Sequence, residues 1–156
     1  MRKRILSPDL QDVLLPDEDW VNFEQVAQVE ISSEDPAHPI EAALLPGGAG
    51  WLAAGPGVQS IRLIFDEPQR LKRISLIFVE VESSRTQEFA LYWSPDNGKS
   101  YREIVRQQWN FSPPLTTHEV EDYRLDLPGV TALDLTIIPD ISGGEARAKL
   151  SQLRLS

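Results

Sequence analysis

The sequence predicts an all-β fold, an antiparallel β-sandwich (a jelly roll of about eight strands) with an irregular N-terminal section. Three observations predict it. Apolar residues recur in short runs with a period of two, turn-forming residues punctuate those runs, and no stretch sustains the period of a long amphipathic helix. The 156 residues are expected to form a single domain, with residues 1–45 as the irregular section packed on it.

The N-terminal elements are the least regular. "WVNFEQVAQVEIS" reads as a strand with irregular entry, and "PIEAALLP" as one helical turn between prolines. "SIRLIF" then places Ile61, Leu63 and Phe65 on one face. "RISLIFVEV" is apolar on both faces, with Ile74, Leu76 and Phe78 set against Ile77, Val79 and Val81, as in a central strand. "TQEFALYW" aligns Phe89, Leu91 and Trp93, and "YREIVRQQ" keeps Tyr101 and Val105 in phase. "YRLDL" sets Tyr123, Leu125 and Leu127 against Arg124 and Asp126, and "ALDLTII" sets Leu133, Leu135 and Ile137 against Asp134 and Thr136. "AKLSQLRL" changes phase between Leu150 and Leu153, as a bulge would. Asp96-Asn97-Gly98 is a hairpin signal, because Asn and Gly accept positive φ. Glu67-Pro68-Gln69 and Pro128-Gly129 read as further tight turns.

If each strand reverses the direction of the one before, alternate connections fall at the same end of the sandwich. One end takes the short connections 66–70, 95–99 and 128–131. The other takes 46–59, 82–85, 108–118 and 140–145. Loops on a rigid scaffold are where binding residues sit, so Trp51, Arg85, Trp109, Asn110, His118 and Asp140 are expected to converge there.

The densest candidate cluster is Arg106, Gln107, Gln108, Trp109 and Asn110. Sugar recognition needs an aromatic face for the apolar side of a ring, and planar amide or guanidinium groups that bond neighbouring hydroxyls. This stretch contains both. The competing reading is that Trp109 and Phe111 pin a long connection to the core while the polar groups cap strand ends. Arg85 is expected either to hold a carboxylate ligand or to pair within the protein with Glu119, Glu121 or Asp122.

The formal charge is −9, and no Lys or Arg interrupts the acids between Asp9 and Asp35. Such a surface repels phosphate backbones, which argues against a nucleic-acid partner, while a basic protein partner or a neutral ligand stays compatible. The chain has no cysteine, so disulfides and thiolate metal sites are excluded. Asp9 and Asp12 interrupt the N-terminus before an apolar run of signal-peptide length, and no stretch is apolar over a membrane-spanning length. A cytoplasmic location with no membrane partner is the expectation.

Gly50-Trp51-Leu52-Ala53, "GVQSIRLIFDEPQRLKRISLIF", "TQEFALYWSPDNGKSYREI", "ALDLTIIPD" and "KLSQLRL" together resemble the discoidin, or coagulation-factor type C, jelly roll of the galactose-binding-domain-like superfamily. The marks are a Trp after a loop, an apolar strand ending before Pro68, and Ser94-Pro95-Asp96-Asn97-Gly98 followed by Tyr101. The resemblance spans roughly the last two-thirds of the chain. It implies an eight-stranded sandwich that binds glycans, lipids or proteins through loops at one end. Two features depart from the pattern: the cysteines that tie the termini of extracellular members are absent, and Glu41–Gly50 lacks the Asp-Gly pair often found near a calcium site. No metal and no cofactor is expected.

Enzyme signatures are poor. His38 and His118 are far apart in sequence, and there is no HExxH motif, nucleophile elbow, P-loop or cysteine nucleophile. Gly48-Ala49-Gly50-Trp51-Leu52-Ala53 matches a dinucleotide fingerprint in form only, because Pro46 and Gly55-Pro56-Gly57 deny it the flanking strand and helix. Asn110-Phe111-Ser112 is a glycosylation acceptor only in a secreted chain. Close pairs among 24 acids carry little information about glycoside hydrolysis. The sequence therefore points to a non-enzymatic binding module for a glycan or small polar ligand, with Trp51, Arg85, Arg106, Gln108, Trp109, Asn110, His118 and Asp140 as ligand-binding residues. The alternative is a protein-interaction or assembly module with an acidic surface, and a hydrolase stands third.

Overall fold

The structure, a computed structural model, describes residues 20–21 and 27–156. Along these residues run β1 (Ala27–Ile31), α1 (Glu41–Leu44), β2 (Trp51–Pro56), β3 (Gln59–Val79), β4 (Arg85–Ser94), β5 (Arg102–Phe111), β6 (His118–Ile138), β7 (Arg147–Leu150) and β8 (Gln152–Leu155). Their pairings are antiparallel throughout.

Two 21-residue strands, β3 and β6, build the frame. They pair from Gln59 with Ile137 to Val79 with His118, and the register slips between Ile64 and Arg73. The turns expected at Glu67-Pro68-Gln69 and Pro128-Gly129 are therefore not reversals. Both strands run through them, and the slips bend the paired ribbon where each proline removes a backbone donor.

Partners change across the bend. The first half of β3 pairs with β1, and the second half of β6 pairs with β4, which pairs with β5. The second half of β3 pairs with β8. The Phe78 and Phe89 rings, from β3 and β4, lie 5.2 Å apart, so the halves of the folded ribbon face each other across the core. A ribbon folded over itself sends its next connection to the same end of the sandwich as a turn would.

The predicted alternation fills this core. Ile61, Leu63, Phe65, Ile74, Leu76, Phe78, Phe89, Leu91, Leu133, Leu135 and Ile137 are each at most 4% exposed. Burial of each such side chain is worth about 1.5–3 kcal/mol. Val81 is 62% exposed, because β3 ends at Val79. Asp134, expected on the polar face, is buried beside Arg62, whose Nε donates to its Oδ2 at 3.2 Å.

Two other stretches differ from expectation. Residues 46–59 are not one loop but contain β2, which pairs with β7. The phase change between Leu150 and Leu153 is a change of partner: β7 ends at Leu150, the Ser151 N–H donates to the Ile77 carbonyl, and β8 joins β3. The N-terminal section carries the strand and the helical turn expected of it, with Ala27–Ile31 paired to Phe65–Ile61 and α1 at Glu41–Leu44, and turns and bends fill residues 32–40 between them. Most of the acidic stretch between Asp9 and Asp35 lies outside the described residues. The hairpin signal holds, with Asn97 at φ 61° and Gly98 at φ 85° between β4 and β5. Among the described residues no helix is long and apolar enough to cross a membrane.

One glycine closes the turn before β2. A Cβ on Gly48 would collide with the Ala42 carbonyl, which already accepts the Gly50 N–H at 3.0 Å. Gly48→Ala is expected to cost about 1–3 kcal/mol by overpacking against fixed backbone. An unchanged thermal midpoint would refute this.

Candidate functional site

Three connections meet at one end of the sandwich, held together by backbone hydrogen bonds. The Glu80 N–H donates to the Thr117 carbonyl at 2.8 Å, the Ile141 N–H to the Thr86 carbonyl at 2.9 Å, and the Ser112 N–H to the Thr116 carbonyl at 2.9 Å. These bonds tie residues 80–84, 112–117 and 139–146 to the end of the β4–β5 hairpin. Between them lies an open hollow of about 460 Å³. Ser84, Arg85 and Thr86 form one side, Asn110, Phe111 and Ser112 another, and Asp140 and Ser142 a third.

Arg85 is the strut of this end. Its Nε donates to Glu80 Oε1 at 2.8 Å, and its Nη1 donates to the Pro139 carbonyl at 2.6 Å and to Gln87 Oε1 at 3.3 Å. The guanidinium lies 4.8 Å over the Phe111 ring. Burial works against ionisation of Glu80, but hydrogen bonds from Arg85, the Glu82 N–H and Lys149 outweigh it and hold its carboxyl at about 2. The internal pairing expected of Arg85 is thus realised, with Glu80 as the partner rather than Glu119, Glu121 or Asp122.

The polar groups on the hollow are oriented in advance. Asp140 Oδ1 accepts from the Ser142 hydroxyl at 2.7 Å and the Ser142 N–H at 3.0 Å, which lowers the Asp140 carboxyl below its ordinary range. Thr86 Oγ1 donates to Asn110 Oδ1 at 2.6 Å. That bond engages the amide oxygen, so the NH2 group is the end left to donate. An ionised acceptor, an amide donor and the hydroxyls of Ser84, Ser112 and Ser142 therefore surround one space. Such mixed donors and acceptors suit a neutral polyhydroxyl ligand. Among the described residues no three His, Cys, Asp or Glu side chains are grouped so as to hold a metal ion.

The structure gathers Arg85, Asn110 and Asp140 at the hollow and places the other sequence-predicted residues elsewhere. The alternation of β5 separates the Arg106–Asn110 cluster. Arg106, Gln108 and Asn110 point outward, while Gln107 and Trp109 point inward, so the Trp109 ring shares no surface with Arg106, Gln108 or Asn110. Arg106 bonds Glu88, Glu103 and Tyr92, and Gln108 bonds Glu88. Trp109 is half-buried and packs on the core. His118 is exposed at the start of β6, its Nδ1 2.8 Å from Thr117 Oγ1. Trp51 is 2% exposed, and its Nε1 donates to the Ser33 carbonyl at 3.0 Å.

A polar cluster that alternation of apolar residues does not reveal lies behind the hollow. Gln87 Nε2 donates to Glu119 Oε1 at 3.0 Å, across the core from β4 to β6. Glu119, Glu121 and Tyr123 follow one another on the inward face of β6. Burial pushes the Glu119 carboxyl up to about 9, with the Glu121 carboxyl beside it as the second cause. Burial, then Glu121 and Glu119, also raise the Tyr123 hydroxyl. Arg85 Nη2, Trp109 Nε1, Glu119 Oε2, Glu121 Oε2 and Tyr123 OH are buried without a hydrogen-bond partner among the described residues.

No family model matches the chain, and no curated protein does. Solved structures do match. The family 32 carbohydrate-binding module of Clostridium perfringens NanJ, in complex with galactose, superposes with a TM-score of 0.63 at 13% identity, over 87% of this chain and 96% of that one. The Clostridium perfringens module CpGH89CBM32-5, in complex with GalNAc-β-1,3-galactose, gives 0.64 at 16% identity, over 87% and 98%. A pectin-binding carbohydrate-binding module gives 0.60 at 18% identity, over 85% and 91%. The chain has the discoidin-like, galactose-binding-domain-like jelly-roll fold.

Proposed function

We propose that the chain is a non-enzymatic carbohydrate-binding module whose sugar site is the hollow at the loop end of the sandwich. The observation that carries this reading is the convergence of ionised Asp140, the Asn110 amide and three serine hydroxyls around one space braced by Arg85. A carboxylate and an amide lining one space match sugar hydroxyls, which both donate and accept. The fold supports the reading, because structures that share it hold galactose and GalNAc-β-1,3-galactose.

Titration of the protein with galactose, N-acetylgalactosamine and a wider glycan panel tests it. Asp140→Ala is expected to weaken the bound sugar about tenfold or more, as loss of a hydrogen bond of about 1.5–3 kcal/mol to a charged group requires, and Asn110→Ala about two- to tenfold, as loss of a neutral one of about 0.5–1.5 kcal/mol requires. Thermal midpoints should stay close to wild type. Sugar binding undisturbed by both substitutions would move the site away from this hollow, and no binding across the panel would refute the carbohydrate reading.

A further inference from the structure

The hollow's brace continues inward as a chain of side chains. Arg85 Nη1 donates to Gln87 Oε1, and Gln87 Nε2 donates to Glu119 Oε1. Gln87 therefore has its amide fixed at both ends, by a cation in the wall and a carboxyl in the core. Glu119 is fully buried. Beside it on the same face of β6 stands Glu121, and then Tyr123.

The charges that meet Glu119 are few. Phe78, Leu76 and Ile74 are the β3 partners of Glu119, Glu121 and Tyr123, and they bring none. From β4 come Arg85 and the neutral Gln87, and from β5 the neutral Trp109, the cross-strand partner of Gln87. Glu80 faces Arg85 and is itself held by Lys149 of β7. His118, next along β6, is exposed on the opposite face. One guanidinium, already bonded to Glu80, thus stands against the buried Glu119 and the half-buried Glu121, whose Oε2 atoms are both buried without a hydrogen-bond partner among the described residues. Adjacent carboxyls in such a setting cannot both ionise at low cost.

We propose that Glu119 and Glu121 share one proton between their carboxyl groups, and that this proton, acting through Gln87 on Arg85, controls saccharide affinity at the loop-end hollow. This rests on the reading of the hollow as a sugar site. With the proton in place, Gln87 keeps its Nε2 on Glu119 and its Oε1 on Arg85, and Arg85 stays on Glu80 and the Pro139 carbonyl. Loss of the proton puts a second negative charge in the core, facing the Arg85 guanidinium, whose Nη2 is buried without a hydrogen-bond partner among the described residues. A guanidinium drawn inward leaves the Pro139 carbonyl, and with it the segment that carries Asp140. Glu119 and Glu121 are positioning residues here, not contact residues.

Stability should follow the same proton. Glu119 holds it more tightly folded than unfolded, so its contribution is whole below the ordinary glutamate value of 4.5 and is lost as pH rises through about 9.

The test combines carboxyl-carbon NMR of glutamate-labelled protein with galactose and N-acetylgalactosamine titrations from pH 6 to 10. In wild type, one glutamate carboxyl should titrate far above the others, and affinity should fall by up to about tenfold per pH unit above that titration. Glu119→Gln, which mimics the protonated carboxyl, should keep the neutral-pH affinity, remove the high titration and flatten the pH profile. Glu121→Gln, the second variant if the first does not fold, should move the high titration and the fall in affinity together to lower pH, because burial of Glu119 remains. All glutamates ionised at pH 7 would overturn the shared proton, whatever the sugar result. A high titration with flat affinity would overturn the linkage and leave the sugar site standing. No sugar bound at any pH would overturn both the sugar reading and the linkage, with the shared proton alone surviving.

Discussion

Arg85→Ala is expected to cost about 3–5 kcal/mol, the penalty for breaking a buried ion pair by removing one partner. For a chain of this size that lowers the thermal midpoint by roughly 6–20 °C. The Arg85 and Glu80 side chains are only 1% and 4% exposed, and their N–O distance is 2.8 Å. Alanine leaves Glu80 with Lys149 and the Glu82 N–H as its remaining donors. It also releases the Pro139 carbonyl and uncovers the face of Phe111. The acid limb of stability should shift as well. The folded Glu80 carboxyl is held at about 2 against an ordinary 4.5, so its contribution is present above 4.5 and lost as pH falls toward 2. Without Arg85 that loss should begin at higher pH. Urea unfolding of Arg85→Ala beside the double variant Glu80→Gln/Arg85→Met separates the causes. The double variant removes both charges and should recover much of the stability. A single variant within about 1 kcal/mol of wild type would mean that the pair is solvated, with the worth of a surface ion pair.

How far the sequence discloses this arrangement depends on which side chains carry the alternation. Phe89 and Leu91 mark the inward face of β4 by hydropathy, but the same parity continues to Gln87 and Arg85, which are polar. On β6 the inward series Leu127, Leu125 and Tyr123 continues to Glu121 and Glu119. Periodicity of apolar residues therefore ends each strand too early, at the point where the buried polar cluster begins. Continuing the parity past the last apolar residue, with a charged residue counted as inward, would have found the cluster. Arg106 to Asn110 do not form one surface for a different reason, since neighbours in a strand face opposite ways, and of the five Asn110 alone reaches the hollow. Pro68 and Pro128 carry turn chemistry, and a bend in a long ribbon uses the same chemistry. The loop end was legible despite that error, because a fold-over and a turn place the next connection alike. Asn97 and Gly98 were legible because positive φ is a local demand.

Trp51→Ala is expected to cost about 3–5 kcal/mol, the range for emptying a large aromatic from a core. The ring is 2% exposed, and its cross-strand partner Leu150 is fully buried. Its Nε1 bond to the Ser33 carbonyl ties β2 to the preceding segment, as do the Asp35 N–H to Leu52 carbonyl and Leu52 N–H to His38 carbonyl bonds. Alanine removes the volume and the tie together. Trp51→Phe keeps most of the ring and loses the N–H, so it should cost less, with about 1–3 kcal/mol for the Ser33 carbonyl left without its donor. Thermal and urea unfolding of the two variants give that ordering. Because Trp51 is not part of the loop-end hollow, Trp51→Phe should bind sugar as wild type does once corrected for the folded fraction. A folded Trp51→Phe that had lost its sugar would place the ligand instead in the second hollow, of about 270 Å³, where Trp51 lies with His38 and Lys149.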